Sequence, residues 1–420
     1  MAMLLLERIS TLITPEASQG EEGHLPRASG EAMGNLRVIR NGAVAIEGKS
    51  IIAVGSSDEL KEAFADAERI DCSGKTLLPG FVDSHTHIVF AGNRANEFAM
   101  RLRGVTYQEI YEAGGGIRST MNSVREASLE EIVETARPLV QSAFRHGTTT
   151  IEAKSGYGLD TASELKLLEA IQVLDQEEAP TLVPTFLGAH AFPPEFAHDR
   201  EGYVHLLIDE MIPEVARQGL AEYCDVFTDE GYFTVEESER IVAAGAEHGM
   251  KARVHADELA DVSAASMAAR VEAVSADHLL MISDKGIADM KEAGVIATLL
   301  PGTAFYLNLP YAPARRLIEA GLPIALATDC NPGTNMCENM GITLALACMG
   351  MRMTIEEAIT ASTLNGAAAL DRSDNIGMIV PGMNADLTVF STPDYPDILY
   401  HYGVNQVVMV VKEGTVVEFS

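Results

Sequence analysis

Short apolar runs recur through the middle of the chain, and each is followed by a stretch with helical spacing. Eight such runs are legible: Phe81–His87, Thr148–Lys154, Leu182–His190, Tyr223–Asp229, Ala252–His255, Ala273–His278, Val295–Leu300 and Ile324–Asp329. Between them, Ser or Thr followed three residues later by Glu marks helix starts. The pairs are Ser128/Glu131, Thr161/Glu164, Thr234/Glu237 and Thr354/Glu357. This is the βα alternation of a parallel α/β sheet, and eight units is the count that closes a (β/α)8 TIM-like barrel. A doubly wound open sheet is the alternative, but no GxGxxG follows the first run.

The two ends of the chain carry a different pattern. Ala43–Ile46 and Ile51–Val54 flank Glu47-Gly48-Lys49, and Val407–Val411 and Thr415–Phe419 flank Lys412-Glu413-Gly414. Both read as hairpins with glycine in the turn. Residues 1–75 and 380–420 are therefore expected to build one small β-sandwich domain around a barrel spanning 76–379. The polar stretch Glu16–Asn35 reads as a loop.

The ends of the eight runs are chemically distinctive. They fall on His87, Lys154, His190, Asp229, His255, His278 and Asp329; only the seventh is apolar. Barrel active sites sit at the C-terminal ends of the strands, so ionisable side chains gather where chemistry is expected. In Gly80-Phe81-Val82-Asp83-Ser84-His85-Thr86-His87 the two imidazoles are two residues apart, and strand periodicity turns both to one side. Taken alone, such a pair reads equally as surface or core histidines. With His255 and Asp329 it makes three neutral nitrogen ligands and one carboxylate, suited to zinc or iron with room for water. Asp329 has a second reading as a carboxylate capping the Asn331-Pro332-Gly333 turn, and His278 has one as a satisfied core histidine. Glu258, three residues beyond His255, is placed to move a proton between water and a leaving nitrogen. His278 is placed to polarise a carbonyl. His24, His198, His205, His248 and His401 lie away from the run ends and read as ordinary surface or packing residues.

Composition narrows the partners. The 420 residues are 47% hydrophobic and 22% charged, with a formal net charge of −31. That field repels nucleic acid and anionic lipid, and any carboxylate substrate must be met by a placed Arg or Lys. Cys72, Cys224, Cys330, Cys337 and Cys348 are scattered without a CxxC, as expected of reduced thiols in a cytoplasm. The apolar run Met3–Leu6 is too short for a signal-peptide core, and nothing has the apolar length to cross a membrane. A soluble cytoplasmic protein is expected.

Thr76–His87 and Pro381–Leu387 resemble the entry and return motifs of the amidohydrolase superfamily. Further blocks are similar to the imidazolonepropionase family: Phe90–Arg94, Gly114–Ile117, Glu152–Leu159, Phe186–His190 and, most specifically, Ala327–Asn335. The resemblance implies one zinc or iron ion per subunit on His85, His87, His255 and Asp329, with Glu258, His278 and Asp329 catalytic. It implies substrate contacts at Arg94, Tyr107, Tyr157, His190, Glu258, Asn331, Gly333 and Thr334, a homodimer, and hydrolysis of 4-imidazolone-5-propanoate to N-formimidoyl-L-glutamate. Arg94 then supplies the cation that the overall charge demands. Binuclear members of the superfamily carry a carboxylated Lys at the end of the fourth strand. Here that run ends in Asp229-Glu230, which disfavours a second metal. A deaminase acting on a heterocyclic amine is the alternative activity; it would use His255, Glu258, His278 and Asp329 but would not need Arg94.

Overall fold

Eight parallel strands pair in sequence order in the computed structural model, which describes residues 3–18, 25–106, 109–110 and 114–419. They are Phe81–Asp83, Thr148–Lys154, Thr181–Ala189, Tyr223–Thr228, Lys251–Ala256, Ser275–His278, Ile296–Leu299 and Ile324–Leu326. All eight expected runs are present, and helices follow each one. The ring is completed beyond the regular ladder. The Asp329 N–H donates to the His85 carbonyl and the His87 N–H to the Cys330 carbonyl, both at 3.0 Å. The buried Asp83 carboxylate reinforces this seam by accepting from the Thr328 N–H at 2.9 Å and its hydroxyl at 2.6 Å. The (β/α)8 barrel expected from the sequence is the fold.

Three of the four expected capping boxes form, at Ser128, Thr234 and Thr354. The Thr161/Glu164 pair does not. Asp160, one residue earlier, is the N-cap and accepts from the Ser163 N–H at 2.8 Å. An aspartate makes a strong N-cap, and with the helix start shifted by one residue Glu164 turns into the interior.

The chain ends share a second, mixed sheet. Its order is Thr415–Glu418, Val407–Lys412, Leu387–Phe390, Thr76–Pro79, Met3–Pro15, Leu36–Glu47 and Ser50–Ser56. Both expected hairpins lie in it. The long strand Met3–Pro15 has an irregularity between Leu6 and Ile9, with Arg8 at φ 57°. Its first half pairs with Glu68–Asp71 and its second half with Thr76–Pro79. Leu6, Leu12, Val44, Ile51, Leu387, Val389 and Val411 give this sheet an apolar core of its own.

Within the Glu16–Asn35 stretch, residues 19–24 (His24 among them) lie outside the described residues. The remainder crosses the end of the barrel where strands begin. The Asn365 amide takes the Ala28 N–H and donates to the carbonyls of Ala28 and Ile324, and the Gly30 N–H reaches the Leu322 carbonyl. A single 3₁₀ turn, Gly30–Gly34, buries Met33 there. This segment therefore covers the face opposite the strand ends. Among the described residues no helix is long and apolar enough to cross a membrane.

Candidate metal centre and substrate cavity

His85 and His87 lie just past the regular end of the first strand and are held by the seam bonds. The His85 Nδ1 bonds Asp277 Oδ2 at 2.6 Å, and the His255 Nδ1 bonds Asp225 Oδ1 at 3.1 Å. Each carboxylate draws the proton to Nδ1, leaving a lone pair on Nε2. The buried His85 Nε2 has no hydrogen-bond partner and lies 3.8 Å from Asp329 Oδ1; the His87 Nε2 lies 3.7 Å from the same oxygen. The Nε2 atoms of His87 and His255 face each other at 3.3 Å. Burial first, and then neighbouring positive charge, hold His85 and His87 well below the ordinary imidazole pKa. The ring nitrogens of His85, His87 and His255 and a carboxylate oxygen, converging in a buried space, suit a metal cation. His278 brings a donor atom into the same cluster, beside His85 and His255.

Two of these residues depend on unusual backbone. His278 has φ 77° and Asp329 φ 53°, in the left-handed region that His and Asp enter more readily than most residues. At His278 this breaks the strand alternation, so consecutive Asp277 and His278 both serve the centre. The Thr303 hydroxyl donates to Asp329 Oδ2, and the Asn331 amide donates to Oδ1 at 3.1 Å.

Beneath the centre lies a buried charge network. Lys154 donates to Glu152 at 2.7 Å and to Asp225 at 2.8 Å. Burial opposes the ammonium charge, but the carboxylates of Asp225 and Glu152 outweigh it and raise its pKa. Arg253, also fully buried, donates to Asp277 at 3.1 Å and to the carbonyls of Ser84 and Ala369. Lys154 thus works as a structural counter-ion to the carboxylate that orients His255.

Above the centre opens a cavity of about 420 Å³. His87, Arg94, Tyr157, His190, His255, Glu258, His278, Asp329, Asn331, Gly333 and Thr334 line it together with residues not foreseen. The Glu258 side chain is 11% exposed and its Oε1 is 3.6 Å from His278 Nδ1. Burial, reinforced by the charges of Asp329 and Asp229, pushes its carboxyl up to about 8. Asp229 accepts the backbone N–H groups of Glu258, Leu259 and Ala260 at 2.8, 2.8 and 3.1 Å, fixing that loop. The His190 Nδ1 donates to the Gly156 carbonyl at 2.9 Å, which leaves Nε2 as an acceptor. Burial holds this imidazole down at about 3. Arg94 pairs with Glu97 at 2.9 Å. A side chain at position 333 would meet Arg94 Nη1 at 2.4 Å, so the guanidinium would have to shift to admit one.

The amidohydrolase family profile matches residues 108–418. An imidazolonepropionase of Geobacillus thermodenitrificans is 51% identical over 391 residues, covering 92% of each chain; one of Geobacillus kaustophilus is 50% identical with the same coverage. The chain belongs to the imidazolonepropionases, within the amidohydrolase family. An adenosine deaminase from Xanthomonas campestris with bound zinc shares the fold, with a TM-score of 0.70 at 19% identity over 99% of this chain and 92% of that one.

Not every residue of this imidazolonepropionase site is legible in the sequence. Tyr107 lies outside the described residues. Arg101 was missed: its Nη2 donates to the Gly333 carbonyl at 3.0 Å, and its guanidinium lies over the Tyr306 ring at 4.9 Å. Its spacing of seven from Arg94, with Glu97 between, was a signal for one helix face. Asp225 and Asp277 were also missed, although charged residues inside otherwise apolar strands carry their own signal. His198, His205, His248 and His401 are exposed, as expected.

Proposed function

We propose that the chain hydrolyses the ring amide of 4-imidazolone-5-propanoate to N-formimidoyl-L-glutamate, with His85, His87, His255 and Asp329 holding one zinc or iron ion. The observation that carries this reading is the convergence of unprotonated imidazole nitrogens and the Asp329 carboxylate on the floor of a cavity whose rim bears Arg94. Such an ion, when bound, supplies Lewis acidity that makes water nucleophilic near neutral pH and polarises a carbonyl. The chain's own residues supply positioning and proton movement.

Glu258, its Oε1 3.6 Å from His278 Nδ1 at the cavity wall, accepts a proton from the attacking water in its ionised form, and the burial that raises its carboxyl favours holding that proton until it passes to the departing ring nitrogen. His278, neutral because burial disfavours its charge, offers a ring N–H to the carbonyl oxygen. Tyr157 stays protonated, since burial raises its phenol, and so donates. The His190 Nε2 accepts from a ring N–H. Arg94, with its Nη edge against Gly333, meets the propionate, and Asn331 keeps Gly333 and Thr334 in place by accepting their N–H groups at 2.8 and 2.7 Å. Arg101 adds a second guanidinium to the lining of that cavity. Five unpaired cysteines support a cytoplasmic setting, and family membership supports a homodimer.

The test is turnover of freshly generated 4-imidazolone-5-propanoate, followed by loss of ring absorbance with and without chelator. Chelator-sensitive appearance of formimidoylglutamate is expected. A metal-loaded sample that leaves the ring intact but releases ammonia from heterocyclic amines would replace this reading with the deaminase one.

A further inference from the structure

Glu164 is a fully buried carboxylate without a role in the chemistry above. It projects from the first turn of the helix Thr161–Glu177. Three of its described partners are backbone donors: the Gly156 N–H to Oε2 at 2.9 Å, and those of Gly158 and Leu159 to Oε1 at 2.8 and 2.9 Å. The Ser155 hydroxyl adds a side-chain bond while accepting the Leu187 N–H at 2.9 Å. A buried carboxylate with no cation persists only where donors replace its water. Here the donors all come from one five-residue loop, and the helix N-terminus adds favourable potential.

That loop is bent to suit the carboxylate. Gly156 has φ +102° and Leu159 φ 55°, and a side chain at 156 would lie 2.9 Å from the Leu187 carbonyl. The bend puts Tyr157 on the cavity wall, its ring centroid 5.8 Å from His87 and 5.4 Å from His190. It also aims the Gly156 carbonyl at His190 Nδ1. One residue therefore gives its N–H to Glu164 and its C=O to His190.

We infer that Glu164 is a positioning residue for substrate binding: its carboxylate sets the loop that places Tyr157 and fixes the tautomer of His190. The inference rests on the reading above, in which those two side chains face the substrate. It assigns Glu164 a different task from the helix-capping one its sequence spacing suggests.

Glu164→Gln swaps one acceptor oxygen for a donor, so one loop N–H loses its partner. The holoenzyme is expected to show KM raised about tenfold, with bound metal unchanged. Ser155→Ala, a milder change, is expected to raise KM two- to threefold. Leu174→Ala, which opens a cavity under the same helix away from the loop, is expected to lower Tm and leave KM unchanged. Tyr157→Phe and His190→Asn are each made alone and with Glu164→Gln. Double variants no weaker than the worse single one are the expected result, since the losses share one cause. Losses that multiply, or a KM change in Leu174→Ala matching its stability loss, would reduce Glu164 to a structural role and overturn the inference. Single Tyr157→Phe and His190→Asn variants with unchanged KM would instead overturn the site reading, and the inference with it.

Discussion

Replacing Glu258 with Gln in metal-free protein is expected to make the chain more stable, and increasingly so as pH rises. The Glu258 side chain is only 11% exposed, and burial, then the charges of Asp329 and Asp229, carry its carboxyl from 4.5 to about 8. The folded chain thus holds this proton more tightly than the unfolded chain does. Its contribution to stability is complete below about pH 4.5 and is lost as pH rises to about 8. Each tenfold change in proton affinity is worth about 1.4 kcal/mol, so the ceiling on that loss is about 5 kcal/mol. Solvent at the cavity mouth screens part of it, and a realised difference of ~2 kcal/mol is expected. The Gln variant keeps the shape and has no proton to lose. Its advantage over the parent should grow from near zero at about pH 5 and level off above about pH 8. Urea unfolding of both proteins in chelator, at closely spaced pH values, measures it. Metal-loaded samples are expected to show a smaller rise, because the cation offsets the Asp329 charge. A stability difference that stays flat across this range would refute the raised carboxyl, and with it the case for Glu258 as a proton carrier near neutrality.

Other perturbations separate the parts of the site. Asp329→Ala is expected to lose both bound metal, by elemental analysis, and turnover; full turnover would remove Asp329 from the centre. Arg94→Ala should raise KM ~10–100-fold, the worth of a charge-assisted bond, with metal content intact; an unchanged KM would refute the carboxylate clamp. Asp277→Ala takes away the acceptor 2.6 Å from the His85 Nδ1, and chelator competition should show metal affinity reduced ~10–100-fold; equal affinity would mean the ring is oriented by other contacts. Lys154→Met leaves Glu152 and Asp225 buried together without their ammonium. A loss of ~3–5 kcal/mol in urea unfolding is expected, and a neutral result would show that the pair takes up a proton instead.

The site's outline was legible because barrels concentrate polar residues at strand ends, against an otherwise apolar pattern. His255 and His278 stand out for that reason, and the His85/His87 spacing reports a shared face. What escaped the sequence was set by backbone and tertiary contact. Asp277 looks like an outward neighbour of His278 until the left-handed φ at 278 cancels the alternation. Lys154 reads as another ionisable strand end; only its contacts with Glu152 and Asp225 show that it props up His255 from below. Glu164 fits a capping box by spacing, and local chemistry alone could not show that Asp160 takes the cap and releases the glutamate inward. Arg101 had a helical-face signal, but the Gly333 carbonyl it holds lies 232 positions away.

The seam between the first and last strands bears on how the chain acquires its ion. Asp83 meets Thr328 across 245 positions, and closing so large a span comes late, after the nearer contacts have formed. On the proposed ligand set, the carboxylate donor arrives only with that closure. A nascent or misassembled chain can offer imidazoles, which bind metals in passing, but not the complete cage. A barrel that stalls one strand short therefore lacks the Asp329 donor of the proposed set.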